Sequence, residues 1–200
     1  STIVPMEDQV LYRKYRPQDW DTVRGQEHIV SVLTDSIERE TFSHAYLFTG
    51  SRGTGKTSIA RILAKALGTN PEDIIEIDAA SNRSIDDIRE LRAAVRVLPF
   101  SSRFKVYIID EVHMLSKDAF NALLKTLEEP PAHVIFILAT TELAKVPETI
   151  LSRCQVFSFR KPSQKVLTDM VTTIARDEKY TIEPDAAGLV PREERSAFRQ

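Results

Sequence analysis

Apolar positions along the chain follow two patterns. One consists of short runs of consecutive or alternating apolar residues, and the other of longer stretches with apolar residues three and four positions apart. The short runs predict strands, at residues 45–49, 74–78, 106–109, 134–139 and 156–159. The longer stretches predict amphipathic helices at residues 31–40, 56–67, 84–97, 117–127 and 163–179. Because largely apolar strands alternate with helices, we predict an α/β fold with a parallel sheet flanked by helices on both faces.

The alternating pattern ends near residue 160. We expect residues 1–160 to form one α/β domain and residues 161–200 to contribute the start of a second, helical domain that the chain does not complete. The charged stretch 184–200 receives no secondary-structure assignment.

Composition narrows the class of protein. The chain has 200 residues, 42% of them hydrophobic, and no apolar stretch long enough to cross a membrane, so we expect a globular protein with no membrane partner. Its single cysteine, Cys154, excludes an internal disulfide or a four-thiolate zinc site, and we expect no zinc. With no signal-peptide pattern, a cytoplasmic location is expected. The net charge of −2 means that any nucleic-acid binding needs a local basic patch or an assembly.

A glycine-rich loop follows the first predicted strand and precedes a predicted helix. Its residues 50–57 fit the phosphate-loop pattern G-x-x-x-x-G-K-[ST]. In such a loop backbone N–H groups surround the phosphates, the lysine reaches the β- and γ-phosphates, and the final hydroxyl binds Mg²⁺. We therefore predict a site for ATP and Mg²⁺ formed by Gly50, Ser51, Arg52, Gly53, Thr54, Gly55, Lys56, Thr57 and Ser58.

Two acidic residues end the strand predicted at 106–109. Asp110 is expected to hold Mg²⁺ together with Thr57, and Glu111 to polarise the attacking water. Two further residues are candidates for contacts with the γ-phosphate. Thr141 follows the strand at 134–139, and Arg153 follows a helix-like segment at 147–151. The alternatives for these two are an ordinary turn threonine and a surface arginine.

Several longer segments are specific enough to suggest a family. They are YRKYRP at 12–17, GQEH at 25–28, HAYLF at 44–48, IEIDAAS at 75–81, RFKVY at 103–107, DEVHML at 110–115, FNALLKTLEEPP at 120–131, ATT at 139–141 and SRC at 152–154. Over about residues 9–180 the chain resembles the bacterial DNA polymerase III gamma/tau family of clamp-loader ATPases, which belong to the AAA+ class.

The resemblance implies an ATP-hydrolysing motor subunit. In that family it works with other clamp-loader subunits in a ring of five, where it couples ATP to loading a sliding clamp on primed DNA during replication. Arg153 would then reach the ATP of a neighbouring subunit, and Thr141 would act as the γ-phosphate sensor. The resemblance further places Arg16, Pro17 and Gln26 near adenine, and Arg83 and Arg89 near DNA phosphates. For those two arginines a solvated basic helix face is the alternative.

The chain also departs from that family. The family's four-cysteine zinc module is missing, since residues 68–72 bridge its position without a cysteine. We find no equivalent of the family's further arginine in the helical domain. We expect the extension through which the family binds the polymerase to lie outside these 200 residues, and we see no polymerase active site among them. The alternatives are a nonhydrolysing scaffold subunit of the same ring, a replication factor C small subunit, and a helicase loader or Holliday-junction motor.

Overall fold

A five-stranded parallel sheet forms the centre of the fold. The structure, a computed structural model, describes residue 20, residues 24–161 and residues 163–178. The strands lie in the order β2-β3-β4-β1-β5, and every adjacent pair is parallel. Their bounds are β1 Ala45–Thr49, β2 Ile74–Asp78, β3 Lys105–Asp110, β4 Val134–Thr140 and β5 Gln155–Ser158. All five predicted strands are therefore confirmed, with ends that differ by one residue or none.

Six α-helices precede, connect or follow these strands within the described residues. They are α1 Glu27–Glu38, α2 Lys56–Ala66, α3 Ile85–Ala94, α4 Lys117–Glu128, α5 Glu148–Leu151 and α6 Gln164–Asp177. Three single 3₁₀ turns add Pro71–Asp73, Val112–Met114 and Leu143–Lys145. Residue 179, the last residue of the final predicted helix, and the unassigned stretch 184–200 lie outside the described residues.

Two predicted helices have the wrong bounds. Helix α1 begins at Glu27 rather than residue 31, because Ile29 is buried one turn before Leu33 and extends the apolar face towards the start of the helix. Helix α3 ends at Ala94 rather than residue 97. Its start is fixed by a capping box in which Ser84 accepts from the backbone of Asp87 and the Asp87 carboxylate accepts from that of Ser84.

The central strands β1, β3 and β4 contribute alternate side chains to cores on opposite faces of the sheet. One core joins Leu47, Tyr107, Ile109, Phe136 and Leu138 to side chains of α3, α4 and α5, namely Ile88, Leu91, Leu123, Leu127 and Ile150. The other joins Tyr46, Phe48, Ile108, Ile135 and Ile137 to Ile29, Leu33, Ile59 and Leu63 of α1 and α2. Burial on both faces is the reason that the strands read as continuous apolar runs.

The strand order brings the candidate site together. Strand β4 lies between β1 and β3, with Thr49 paired to Thr140 and Ile109 paired to Leu138. The loops after these three strands therefore leave the same edge of the sheet side by side, at the position where open α/β sheets bind ligands. None of the described helices is both long and apolar enough to span a membrane.

Candidate nucleotide-binding site

The loop after β1 depends on glycine at its first position. Gly50 has a φ of 155°, and a Cβ added there would lie 2.9 Å from both Cβ and the carbonyl oxygen of Phe159. Gly53 and Gly55 have φ angles of 76° and 94°, in the left-handed region that favours glycine. The Thr54 hydroxyl donates to the Ser51 carbonyl at 2.7 Å. The loop thus has the tight, glycine-dependent path that a phosphate cradle needs.

Gln26 braces this loop from behind. Its side chain is fully buried, and its amide nitrogen donates to the carbonyl oxygens of Thr54 at 3.1 Å and Arg160 at 2.6 Å. Its amide oxygen accepts from the Arg160 backbone N–H at 3.2 Å. The residue therefore ties the loop to the segment after β5. Its contact with adenine stays a prediction, and Arg16 and Pro17 lie outside the described residues.

Lys56 lies at the start of α2 with its ammonium folded back on the loop. Only 6% of the residue is exposed, and Nζ donates to the carbonyl oxygens of Gly50 and Ser51 at 2.7 and 2.9 Å. Burial lowers the pKa of Lys56, while the carboxylates of Asp110 and Glu111 oppose this shift. The cation is thus held beside the loop that would surround phosphate.

Thr57 and Asp110 meet across the site. The Thr57 hydroxyl donates to Asp110 Oδ2 at 3.3 Å, and Asp110 Oδ1 accepts from the Glu111 N–H at 2.9 Å. A hydroxyl and a carboxylate are hard oxygen ligands of the kind that Mg²⁺ prefers. Among the described residues no group of three or more His, Cys, Asp and Glu side chains is placed to hold a metal. A Mg²⁺ ion here would therefore take its remaining ligands from phosphate and water.

Glu111 and Thr141 form a second pair beside the first. The Thr141 hydroxyl donates to Glu111 Oε2 at 3.3 Å. Glu111 adopts a left-handed backbone conformation with φ 52° and ψ 42°, which is uncommon for a residue with a side chain. Such strained positions gather at functional sites because the surrounding structure holds them in place. The arrangement suits a carboxylate that orients water, with a hydroxyl beside it.

These residues share one cavity of about 360 Å³. Its lining joins loop and helix residues to the two carboxylates and the threonine, namely Arg52, Gly53, Gly55, Lys56, Thr57, Ser58, Asp110, Glu111 and Thr141, together with Arg61 and Asp78. The sequence analysis did not single out the last two. Asp78 had a signal, since it ends strand β2 and pairs in register with Asp110. No sequence pattern pointed to Arg61, which forms a two-point ion pair with Glu76.

The remaining candidates lie outside this cavity. Arg153 is 37% exposed at its side chain and pairs with Glu128 at the end of α4, at 3.0 Å. Arg89 is an exposed residue of α3 that pairs with Asp86 at 3.5 Å. Arg83 precedes the same helix, and its carbonyl accepts from the Ser116 N–H. The structure thus separates three of the predicted arginines from the phosphate loop of their own chain.

Fold and site together define a class of protein. A phosphate loop after β1, an acidic pair after β3, a threonine after β4 and a β2-β3-β4-β1-β5 sheet are the features of a P-loop nucleotide-binding domain of the AAA+ class. A family model described as "DNA polymerase III, delta subunit" matches residues 25–76 and 68–163, which is more than half of the chain. The chain belongs to this family.

Curated relatives carry gamma and tau names from the same polymerase. The chain is 48% identical to DNA polymerase III subunit tau of Bacillus subtilis, covering 92% of this chain and 37% of that one. It is 45% identical to subunit tau of Escherichia coli, covering 97% and 33%, and 43% identical to subunit gamma of Buchnera aphidicola, covering 95% and 57%. The chain thus spans about a third of the length of the two tau subunits.

Solved structures show the same fold. The Holliday junction branch migration motor RuvB of Thermotoga maritima matches with a TM-score of 0.72 at 25% identity, covering 88% of this chain and 58% of that one. A DNA polymerase III gamma subunit-related protein from the same organism matches with a TM-score of 0.60 at 25% identity, covering 70% and 49%. The predicted AAA+ fold is therefore confirmed.

Proposed function

We propose that this chain is the ATP-binding and ATP-hydrolysing motor domain of a gamma/tau-type clamp-loader subunit, which couples ATP to loading a sliding clamp on primed DNA. The observation that carries the proposal is the convergence of Lys56, the Thr57–Asp110 pair and the Glu111–Thr141 pair in one cavity. Relatives that are 43–48% identical and carry gamma or tau names support the choice of clamp loader.

The geometry gives each residue of the cavity a role. Backbone N–H groups of residues 51–58 bind phosphate oxygens, and Lys56 exchanges its two carbonyl acceptors for the β- and γ-phosphates. Thr57 and Asp110 would hold Mg²⁺, which would supply positive charge against the phosphates. Glu111 orients the attacking water and polarises it. Thr141, whose hydroxyl is bonded to Glu111, contacts the γ-phosphate and so links its presence to the position of that carboxylate. We place Arg16, Pro17 and Gln26 at the adenine.

Arg153 acts on a neighbouring subunit in this proposal. Its guanidinium lies outside its own cavity and is held by an exposed pair with Glu128. An exposed ion pair of this kind is weak, on the order of 0–1 kcal/mol. The Arg153 side chain can therefore leave Glu128 and contact the ATP phosphates bound by an adjacent subunit in a ring of five. Hydrolysis then requires assembly, because an arginine supplied in trans stabilises transition-state charge.

The other partners follow from the same assignment. Arg83 and Arg89 contact phosphates of the template, and the clamp binds the assembled ring. The full protein reaches the polymerase through the family's extension and works in the cytoplasm. Residues 1–160 form the ATPase domain, and residues 161–200 begin the helical lid.

A Holliday-junction motor is the second candidate, since RuvB matches this fold with a higher TM-score than the gamma-related protein does. Sequence identity favours the clamp-loader assignment over the Holliday-junction motor. Identity to RuvB is 25%, whereas identity to the gamma and tau subunits is 43–48%. Stimulation by a four-way junction in place of clamp and primed DNA would favour this second candidate.

The test is ATP hydrolysis by the full-length protein assembled with its partner subunits. We expect clamp plus primed DNA to stimulate hydrolysis, and Arg153→Ala to abolish the stimulation while ATP binding remains. Arg39→Ala is the matched control, because Arg39 is also an exposed arginine paired with a carboxylate, Asp35 at 3.0 Å. Hydrolysis that is indifferent to clamp, DNA and Arg153 would reduce the assignment to a generic P-loop ATPase.

A further inference from the structure

His113 is a buried titratable residue next to the candidate site that the proposed mechanism leaves without a role. It lies in the 3₁₀ turn after β3, with only 4% of its side chain exposed. Nδ1 lies 2.9 Å from the Thr140 hydroxyl. Nε2 lies 3.2 Å from Glu142 Oε2 and 3.4 Å from Glu111 Oε2. One imidazole thus bridges the ends of β3 and β4 beside the carboxylate that orients water.

The neighbours of the ring assign its protons. Nε2 lies within ion-pair distance of two carboxylate oxygens, which can only accept hydrogen bonds, so these neighbours favour a hydrogen on Nε2. The Thr140 oxygen already accepts from the Glu142 N–H at 3.0 Å, which leaves its own hydrogen free to be donated to Nδ1. A ring with hydrogen on Nε2 therefore suits the neighbours of both of its nitrogens.

Glu111 needs such support. Its backbone is left-handed, and its Oε2 receives the Thr141 hydroxyl at 3.3 Å. Thr141 also faces the phosphate side of the cavity, so it is the less permanent of the two donors. The imidazole lies 3.4 Å from the same oxygen and has only 4% of its side chain exposed, so water has little access to the ring.

We propose that His113 is a positioning residue for hydrolysis, one that holds the Glu111 carboxylate towards the cavity through Nε2–H. This inference rests on the proposed function, since it assumes that Glu111 acts on water. Glu142 competes for the same hydrogen, and its pair with Lys145 at 3.1 Å weakens that competition. The orientation of Glu111 is thereby linked to the turn that follows β4.

A purely structural role is the alternative, in which His113 only ties β3 to β4 through Thr140. Two substitutions separate the readings, because an asparagine amide reaches as far along the side chain as Nδ1 and a glutamine amide reaches as far as Nε2. His113→Asn keeps the Thr140 contact and loses the donor to Glu111. His113→Gln keeps that donor and loses the Thr140 contact.

The experiment measures kcat and the Kd of ATP for the full-length protein assembled with its partner subunits, using Glu111→Gln as the reference. Orienting partners of reacting groups typically contribute about 10–100-fold, so we expect His113→Asn to lower kcat by about that factor. The Kd should change by less than about 2-fold, because the contact with Glu111 is not a nucleotide contact. The kcat of His113→Gln should stay within about 3-fold of the kcat of the unsubstituted protein.

Failure of this inference is distinguishable from failure of the proposed function. If Glu111→Gln hydrolyses ATP at the unchanged rate, the proposed function of the site is wrong. If Glu111→Gln is inactive but the two His113 variants behave alike, whether active or inactive, the positioning role is overturned. Loss of ATP binding by His113→Asn would likewise overturn it, because the histidine would then support the fold.

Discussion

Buried polar side chains in this chain fall into those with partners and those without. Asp73 is buried at a turn where it accepts hydrogen bonds from the backbone of Ser101 at 2.9 Å and of Phe100. Tyr107 is buried between β2 and β4, and its hydroxyl has no partner among the described residues. Because a buried polar group without a partner costs free energy that a paired group does not, the two residues should respond oppositely to substitution.

We expect Tyr107→Phe to leave the free energy of unfolding unchanged or to raise it by up to about 1 kcal/mol, because the substitution removes a desolvated hydroxyl that bonds nothing. Burial alone raises the pKa of Tyr107 to about 12, in keeping with the missing partner. Tyr46→Phe is the matched control, since the Tyr46 hydroxyl accepts from the Ser43 N–H at 2.9 Å. It should lower stability by about 1 kcal/mol in urea unfolding. Destabilisation of equal size in both variants would contradict this prediction.

The contribution of Asp73 should depend on pH. Burial opposes its ionisation, but hydrogen bonds from Ser101, Phe100 and Ser102 outweigh burial and lower the pKa of Asp73 from 3.8 to about 2. A lowered carboxyl pKa stabilises the folded state above the unfolded pKa, and this stabilisation is lost as pH falls from about 4 towards 2. In urea unfolding, the free energy of unfolding of Asp73→Asn should therefore lie below that of the unsubstituted protein by a constant amount from pH 7 to 5. This difference should become smaller below about pH 4. A difference in the free energy of unfolding that stays constant with pH at Asp73 would refute the assignment.

At the scale of elements, the phosphate loop is positioned by the strands and segments around it. Gly50 N–H donates to the Thr140 carbonyl, and Phe159 N–H donates to the Thr49 carbonyl. Gln26 adds a brace from the start of α1. The loop therefore lies between β4 and the segment after β5, and the close approach of Phe159 leaves no room for a side chain at Gly50.

We expect Gly50→Ala to lower ATP affinity by more than about 10-fold and to destabilise the fold, because its Cβ would lie 2.9 Å from backbone and side-chain atoms of Phe159. Gly68→Ala is the matched control. Gly68 also has a positive φ, 80°, but nothing lies within 4 Å of an added Cβ. It should cost about 1 kcal/mol of stability and leave ATP affinity unchanged. Calorimetric titration with ATP would decide, and equal affinities for the two variants would contradict the steric argument.

At the scale of the whole molecule, the proposed function requires a neighbouring subunit to complete the site. The cavity holds Lys56, the Thr57–Asp110 pair and Glu111, while Arg153 lies outside it and pairs with Glu128. An assembly that brings Arg153 of one subunit to the cavity of the next would add a second cation for the γ-phosphate.

Two substitutions that break the same ion pair should therefore differ in the assembled complex. We expect Arg153→Ala to lower clamp- and DNA-stimulated hydrolysis by about 10³-fold or more, as loss of an arginine finger does. Glu128→Ala should retain most of the stimulated rate, because it removes the partner and leaves the guanidinium. Steady-state hydrolysis by the reconstituted complex measures both. Equal losses of the stimulated rate in the two variants would mean that the Arg153–Glu128 ion pair, and not a contact of Arg153 with a neighbouring subunit, supports activity.

The sequence by itself determined the strands, the class of fold and most of the residues that line the candidate site. Strand and helix periods, the glycine spacing of residues 50–57 and the acids after β3 are properties of neighbouring residues, so they can be read along the chain. The bounds of α1 could not, because the burial of Ile29 depends on a core formed with β1 and α2.

Only the tertiary structure decided which of these pieces meet. Strand order set Thr57 against Asp110 and Thr141 against Glu111, across separations of 53 and 30 residues. It also made Gln26 a brace to Arg160, 134 residues away, and enclosed His113 between Thr140 and two carboxylates. Side-chain partners of this kind are fixed by the packing of the whole sheet, because a local sequence pattern specifies an element but not the neighbours beside which it lies.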